Sequence, residues 1–191
     1  MHTAKRKVIR FSAEKQYYSD DEIIKEEPLV INVNGERAYF CMRLPGMDRE
    51  LTAGILYNDG LISSPQDIKS ILISGDSVET EITGAAPSEV KRVYSSTGGM
   101  STSDLLRPAV AAEECDMSPD DLFRMKGEFL LNQKFFERTG GTHCAALFGS
   151  NGEMIAFAED VGRHNALDKC AGSMLLAGRQ GDAAVVVLSS R

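Results

Sequence analysis

Residues 143–188 read HCAALFGSNGEMIAFAEDVGRHNALDKCAGSMLLAGRQGDAAVVVL, and this stretch decides the fold. HCAALFG and EMIAFAE are two apolar runs joined around Ser150-Asn151-Gly152, a turn sequence that predicts a hairpin. A helix is expected from about 163 to 177, with Leu167, Ala171, Met174 and Leu175 on one face. DAAVVVLSS is a continuous apolar run, as expected of a strand covered on both faces. Upstream, Ser118-Pro119-Asp120-Asp121 opens another helix, with Ser as N-cap, Pro in the first position and acids against the positive end. Leu122, Met125, Phe129 and Phe136 are its expected buried stripe, and Gly140-Gly141 its stop. Residues 116–191 thus run helix, strand, strand, helix, strand, an α/β unit.

Residues 1–115 read as a β-rich part with one helix, making the whole chain α+β. The alternating charges of residues 1–20 suggest a solvated arm or an edge strand. LVINV and ERAYFCMRL flank Asn34-Gly35, the strongest short-range hairpin signal. Ala38, Phe40, Met42 and Leu44 share one face of the second strand; Tyr39, Cys41 and Arg43 share the other. Pro45-Gly46 ends it, and Asp48 is placed to cap a helix to about Asn58. Residues 68–74, 77–83 and 89–94 read as short strands. Residues 95–103 (SSTGGMSTS) form a small-residue loop expected to be mobile and exposed, a short helix follows near Leu105, and the acids from Glu113 to Asp121 read as a surface link.

The chain has 191 residues, 42% of them hydrophobic, enough for one large domain or two small ones. A net charge of −7 argues against coating nucleic acid or an anionic membrane. No apolar run approaches the roughly 20 residues needed to span a bilayer, and no signal-peptide apolar segment follows the basic first residues. A cytoplasmic location is expected. The four cysteines, Cys41, Cys115, Cys144 and Cys170, form no CxxC pair and suit a reducing compartment. The chain stops directly after the last apolar run, so the fold is expected to continue beyond Arg191.

The densest group of chemically capable residues is Glu159-Asp160-Val161-Gly162-Arg163-His164-Asn165-Ala166-Leu167-Asp168-Lys169. It falls where a strand ends and a helix begins, where free N–H groups and the helix dipole suit an anion. Arg163 adds a planar fork for phosphate or carboxylate. The alternative has Asp160 capping the helix, with Arg163, Asp168 and Lys169 in solvated ion pairs. Thr139-Gly140-Gly141-Thr142-His143 is a second turn where a backbone could approach a ligand, or a plain helix C-cap. Of the cysteines, Cys115 lies among carboxylates, Cys170 on an apolar helix face, Cys41 without an activator, and Cys144 beside His143 but facing away from it. His143, Cys144, His164 and Cys170 lack zinc-site spacing, so no zinc is expected. The element order of 116–191 is that of the cytidine-deaminase fold, but that chemistry needs H-x-E and P-C-x-x-C, and both are missing.

The sequence resembles the formate dehydrogenase accessory sulfurtransferases, FdhD. The matching blocks are Glu26-Glu27-Pro28-Leu29, Asn34-Gly35, Met42-Arg43-Leu44-Pro45-Gly46, Glu50-Leu51 with Gly54-Ile55-Leu56, Asp59-Gly60-Leu61-Ile62, Thr139 to His143, and Glu159 to Lys169. The resemblance implies a cytoplasmic homodimer with a cytidine-deaminase-like C-terminal part. It implies transfer of persulfide sulfur from a cysteine desulfurase to the molybdenum of bis-molybdopterin guanine dinucleotide, before that cofactor enters formate dehydrogenase. The cofactor-binding residues it implies are Gly140, Gly141, His143, Glu159, Asp160, Gly162, Arg163, His164, Asn165, Asp168 and Lys169. Two departures stand out. Thr97 and Met100 occupy the positions of the family's sulfur-carrying cysteines, and the resemblance implies a nucleotide-binding tail beyond Arg191 that these 191 residues do not include. The alternative function is a cofactor-binding chaperone with no covalent chemistry. No catalytic residue and no nucleic-acid or membrane partner follow from the sequence.

Overall fold

A computed structural model describes residues 2–13, 15–87, the backbone of 92–94, and 117–189. The expected loop at 95–103, the short helix near Leu105, the carrier positions Thr97 and Met100, and Cys115 lie outside the described residues.

Strands β1 (Thr3–Phe11) and β2 (Gln16–Ile24) pair antiparallel as a hairpin. The alternating charges are cross-strand partners: Lys5 faces Glu22, Arg6 faces Asp21 and Lys7 faces Asp20. Of the two readings, solvated arm or edge strand, the strand holds, as one half of a two-stranded sheet. Its base is held by the ion pair of Glu22 with Arg138.

Strands β3 (Glu27–Val33) and β4 (Glu36–Arg43) form the expected hairpin, with Asn34 at φ 51° and Gly35 at φ 84°. They are the centre of a five-stranded sheet ordered β5-β6-β3-β4-β7. The remaining strands are β5 (Ile68–Ser74), β6 (Ser77–Ile82) and β7 (Arg92–Tyr94). On β4 the Tyr39, Cys41 and Arg43 face is the one wholly buried, and Phe40 and Met42 are only half-buried. Arg43 is accommodated there because Asp48 accepts hydrogen bonds from its guanidinium at two points, 2.9 and 3.0 Å. That engagement is why Asp48 does not cap helix α1 (Asp48–Asn58). The cap position is Met47, in the left-handed region, and Asp48 sits in the first turn.

Helix α1 packs on this sheet through Leu51, Ala53, Ile55 and Leu56. The same core takes in Leu175 from helix α4 (Arg163–Leu176). The two helices touch backbone to backbone. A Cβ on Gly54 would stand 1.8 Å from the carbonyl oxygen of Asp168, and one on Gly172 would stand 1.8 Å from that of Glu50. Only glycine permits that approach.

Strands β8 (His143–Phe148), β9 (Met154–Asp160) and β10 (Val185–Leu188) form a third, antiparallel sheet ordered β10-β8-β9. Helix α4 covers one face through Ala166, Cys170 and Met174. Helix α2 (Pro119–Leu131) covers the other through Met125 and Phe129. The mixed α/β architecture expected from the sequence is present.

Two expectations fail. Ser118 caps α2 with a full capping box, but the helix ends at Leu131, and α3 (Lys134–Thr139) starts afresh. The break arises because the Glu159 carboxylate accepts hydrogen bonds from the N–H groups of Phe135 and Phe136, at 2.9 and 3.0 Å, and so acts as an external cap for α3. Phe136 consequently lies on a separate helix and is exposed, and Leu122 is exposed as well, so neither belongs to a buried stripe. The last apolar run is not covered on both faces either. β10 pairs only with β8 among the described residues, and Val186 and Leu188 are about half exposed at 52% and 43%.

Candidate functional site

The pairing of β8 with β9 sets His143 opposite Asp160 and Cys144 opposite Glu159. The turn before β8 and the turn after β9 therefore lie at the same end of this sheet. One carries Gly140, Gly141 and His143; the other carries Gly162, Arg163 and His164.

Most of the polar side chains at that end are committed to the fold. Glu159 holds the start of α3 and accepts the Thr142 hydroxyl at 3.0 Å. Asp160 is fully buried. One of its oxygens accepts from Gly162 N at 2.9 Å and Asn165 Nδ2 at 3.0 Å. The other accepts Leu44 N at 3.1 Å and pairs with Lys169 Nζ at 2.7 Å. Lys169 also donates to the Leu44 carbonyl at 2.8 Å, so both polar groups of Leu44 are gripped by one ion pair. Asn165 donates to the Met42 carbonyl at 2.8 Å, and Asp168 accepts from Asn58 Nδ2 at 2.6 Å. A buried pair of this kind needs every remaining donor and acceptor matched, and here neighbouring backbone supplies the matches. The expectation of solvated ion pairs at Asp168 and Lys169 is corrected: both are buried.

The residues left facing solvent are fewer. Gly162 is the N-cap of α4, and no side chain caps the helix there. Arg163 and His164 are exposed just after it. Glu159 and Asp168 are engaged elsewhere, and Arg163 makes no ion pair among the described residues, so the solvated ion pair of the alternative reading is not met at Arg163 either. Gly140 is the left-handed C-cap of α3, at φ 62°. Gly141 is small for a packing reason, since a Cβ there would meet Ile24 Cγ2 at 2.8 Å. His143 is half-buried, with Nδ1 2.8 Å from the Ser189 carbonyl oxygen. An uncapped helix start with an unpaired arginine and a histidine can take an anion such as a phosphate.

The three described thiols are poor sulfur carriers in the folded state. Cys41, Cys144 and Cys170 are free and buried. Burial, with the Asp160 charge added, pushes the Cys41 thiol up to about 12. Burial pushes Cys170 up to about 12 as well. Burial and the Glu159 carboxylate, 3.6 Å from the sulfur, raise Cys144. A thiol held protonated is neither a nucleophile nor a persulfide acceptor.

Sequence reasoning missed Leu44, Asn58, Thr142 and the glycine pair. The role of Leu44 is carried by its backbone and leaves no side-chain signature. Gly54 and Gly172 did have a signal, being glycines inside helices where alanine costs less.

Comparison with known proteins gives a consistent result. The FdhD/NarQ family profile matches residues 24–191. A protein of Mycobacterium tuberculosis named sulfur carrier protein FdhD is 35% identical over 195 residues, covering 89% of this chain and 71% of its own. One of the same name from Sulfurisphaera tokodaii is 36% identical over 183 residues, covering 92% and 71%. The crystal structure of a protein assigned as a formate dehydrogenase accessory protein, from Desulfotalea psychrophila, superposes with a TM-score of 0.84 at 23% identity. That match covers 100% of this chain and 76% of the other and speaks to the fold alone. The profile match over most of the chain, together with relatives about 35% identical, makes this chain a member of the FdhD/NarQ family.

Proposed function

We propose that the chain is a formate dehydrogenase accessory protein of the sulfur-carrier type, acting on the molybdenum cofactor before its insertion into formate dehydrogenase. Sulfur comes from a cysteine desulfurase as a persulfide, and the receiver is bis-molybdopterin guanine dinucleotide, handled as cargo. The setting is the cytoplasm, and the working form is a homodimer. Family membership supports the role. The local observation that carries it is the uncapped start of α4 with exposed Arg163 and His164, which fits the phosphate-bearing part of such a cofactor. Gly162 and the two turns border that position, and Glu159, Asp160, Asn165, Asp168 and Lys169 hold its frame. The cytidine-deaminase-like reading of residues 116–191 is part of this proposal and rests on a three-stranded sheet with a helix on each face.

A second reading, a cofactor-binding chaperone without covalent chemistry, is favoured by the three buried, protonated thiols. Mass spectrometry after incubation with a cysteine desulfurase and cysteine separates the two. The carrier reading expects one added sulfur on Cys115, or on a buried thiol exposed by opening of the fold. No added sulfur on any of the four leaves the chaperone. Calorimetric titration with a guanine nucleotide tests the site common to both. Arg163→Ala should weaken binding roughly tenfold to a hundredfold, the worth of a charge-assisted hydrogen bond. Arg163→Lys should recover only part, lacking the planar fork. Equal affinity in the wild type and both variants sinks the site.

A further inference from the structure

Three hydrogen bonds meet at Ser189, the residue after β10. Its N–H donates to the Cys144 carbonyl at 3.0 Å, which continues the β10–β8 ladder. In an antiparallel pair of this kind the Cys144 N–H would return a bond to the Ser189 carbonyl. Here it donates instead to the Ser189 hydroxyl, at 2.7 Å. The hydroxyl stands in for its own carbonyl, and the carbonyl oxygen is left to His143 Nδ1, at 2.8 Å. A carbonyl oxygen only accepts, so Nδ1 carries the proton of the neutral ring and Nε2 carries the lone pair. Nε2 has no partner among the described residues and is not sealed from solvent. His143 lies two residues before Ala145, which packs under α4, so its side chain is on the α4 face of the sheet. Asp160, directly opposite, shares that face and bonds Gly162 and Asn165 at the start of α4. The lone pair therefore stands at the end of the sheet where α4 begins and Arg163 is exposed.

We infer that Ser189 is a positioning residue of this site: it fixes His143 as the Nδ1–H tautomer, so that Nε2 accepts an N–H or O–H from the nucleoside part of the bound cargo. The inference rests on the proposed phosphate site at the start of α4 and adds what that site lacks. Arg163 and the helix N–H groups are donors only, and donors recognise the anion without regard to what it is attached to. A fixed acceptor beside them demands a donor as well, which the sugar hydroxyls and base N–H groups of a guanine nucleotide supply. A ring free to exchange tautomers would offer donor and acceptor at the same point and discriminate less. The strand ladder does not itself require the arrangement, because the Ser189 carbonyl could pair with the Cys144 N–H and leave His143 alone.

Calorimetric titration of the full chain with guanosine diphosphate and with pyrophosphate tests the contact, and the nitrogen NMR spectrum of isotope-labelled histidine tests the tautomer. The wild-type His143 signals, assigned by their loss in His143→Ala, should show a protonated Nδ1 and a bare Nε2. His143→Ala should bind guanosine diphosphate roughly threefold to tenfold more weakly, the worth of one neutral hydrogen bond, and pyrophosphate as the wild type does. Arg163→Ala should weaken both ligands. Ser189→Ala should return the ring to a mixture of tautomers and show part of the His143→Ala loss. Ser189→Thr keeps the hydroxyl and should restore both spectrum and affinity. A merely structural Ser189 would lower the melting temperature and leave the nitrogen spectrum unchanged. Dideoxyguanosine diphosphate, lacking the sugar hydroxyls, identifies the donor: if His143→Ala no longer weakens binding the donor is a hydroxyl, and if it still does the donor is a base N–H. Three results overturn the inference: a wild-type Nε2 that carries the proton, equal guanosine diphosphate affinity in the wild type and His143→Ala, or a Ser189→Ala variant with unchanged spectrum and affinity. A wild type that binds neither ligand overturns the phosphate site and this inference with it; binding that depends on Arg163 but not on His143 overturns this inference alone.

Discussion

Replacing Lys169 with methionine tests whether the Asp160–Lys169 pair is a structural clamp. Both side chains are essentially buried, at 2% and 0% exposure, and the pair is 2.7 Å long. Methionine keeps the volume and removes the charge. It strands the Asp160 carboxylate with only neutral donors, from Leu44, Gly162 and Asn165, and leaves the Leu44 carbonyl without its Lys169 donor. Breaking one side of a buried pair costs about 3–5 kcal/mol. For a chain of this size each kcal/mol lowers the melting temperature by about 2–4 °C, so the expected fall is about 6–20 °C. Removing both charges, in Lys169→Met with Asp160→Asn, should restore more than half of the loss, since no uncompensated charge remains. Thermal and urea unfolding of the wild type, both single variants and the double variant close the cycle. A single-variant cost under about 1 kcal/mol, or a double variant no better than the sum of the singles, refutes the clamp.

Gly54→Ala should destabilise by about 1–3 kcal/mol or more, because its Cβ would collide with the Asp168 backbone and force α1 from α4; an unchanged urea midpoint would contradict that packing. Native Cys41, Cys144 and Cys170 should resist iodoacetamide at pH 8 and react on unfolding, as peptide mapping of the alkylated sites would show. Cys41 and Cys170 carry thiols raised from 9.0 to about 12, so between those values the unfolded state has already shed protons that the folded state keeps. Stability should therefore fall as pH rises from about 9 to about 12 and be unaffected by them below that window. Cys41→Ala should flatten the alkaline part of the profile; an equally steep fall in that variant would count against the burial argument.

The parts of the fold readable from sequence are those fixed by local backbone chemistry. Asn34-Gly35 takes the positive φ its hairpin needs, and Ser118 with Asp121 makes a complete capping box. The parts that escaped are fixed by distant partners. Asn132 caps α2 by donating its side-chain amide to the Glu128 carbonyl, and the carboxylate of Glu159, from another strand, holds the start of α3. The 159–169 motif was visible as a cluster, but its spacing does not say that Asp160 and Lys169 bind the backbone of Leu44, across a separation of more than 100 residues. Four residues read from the sequence as ligand contacts, Asp160, Asn165, Asp168 and Lys169, are thus buried in the frame, and Arg163 and His164 are exposed.

The sharing of Leu175 with the N-terminal core has a consequence for biosynthesis. The ribosome releases the five-stranded sheet and α1 well before α4. Until then, the glycine seam of α1 and the core position filled by Leu175 have no cover, and the Leu44 turn has no ion pair to hold it. The first half of the chain must wait, partly formed and with apolar surface open, for residues 160–175 to arrive. A fragment ending before α2 would stay in that waiting state, prone to aggregation, and contacts of such long sequence separation predict slow refolding of the whole chain.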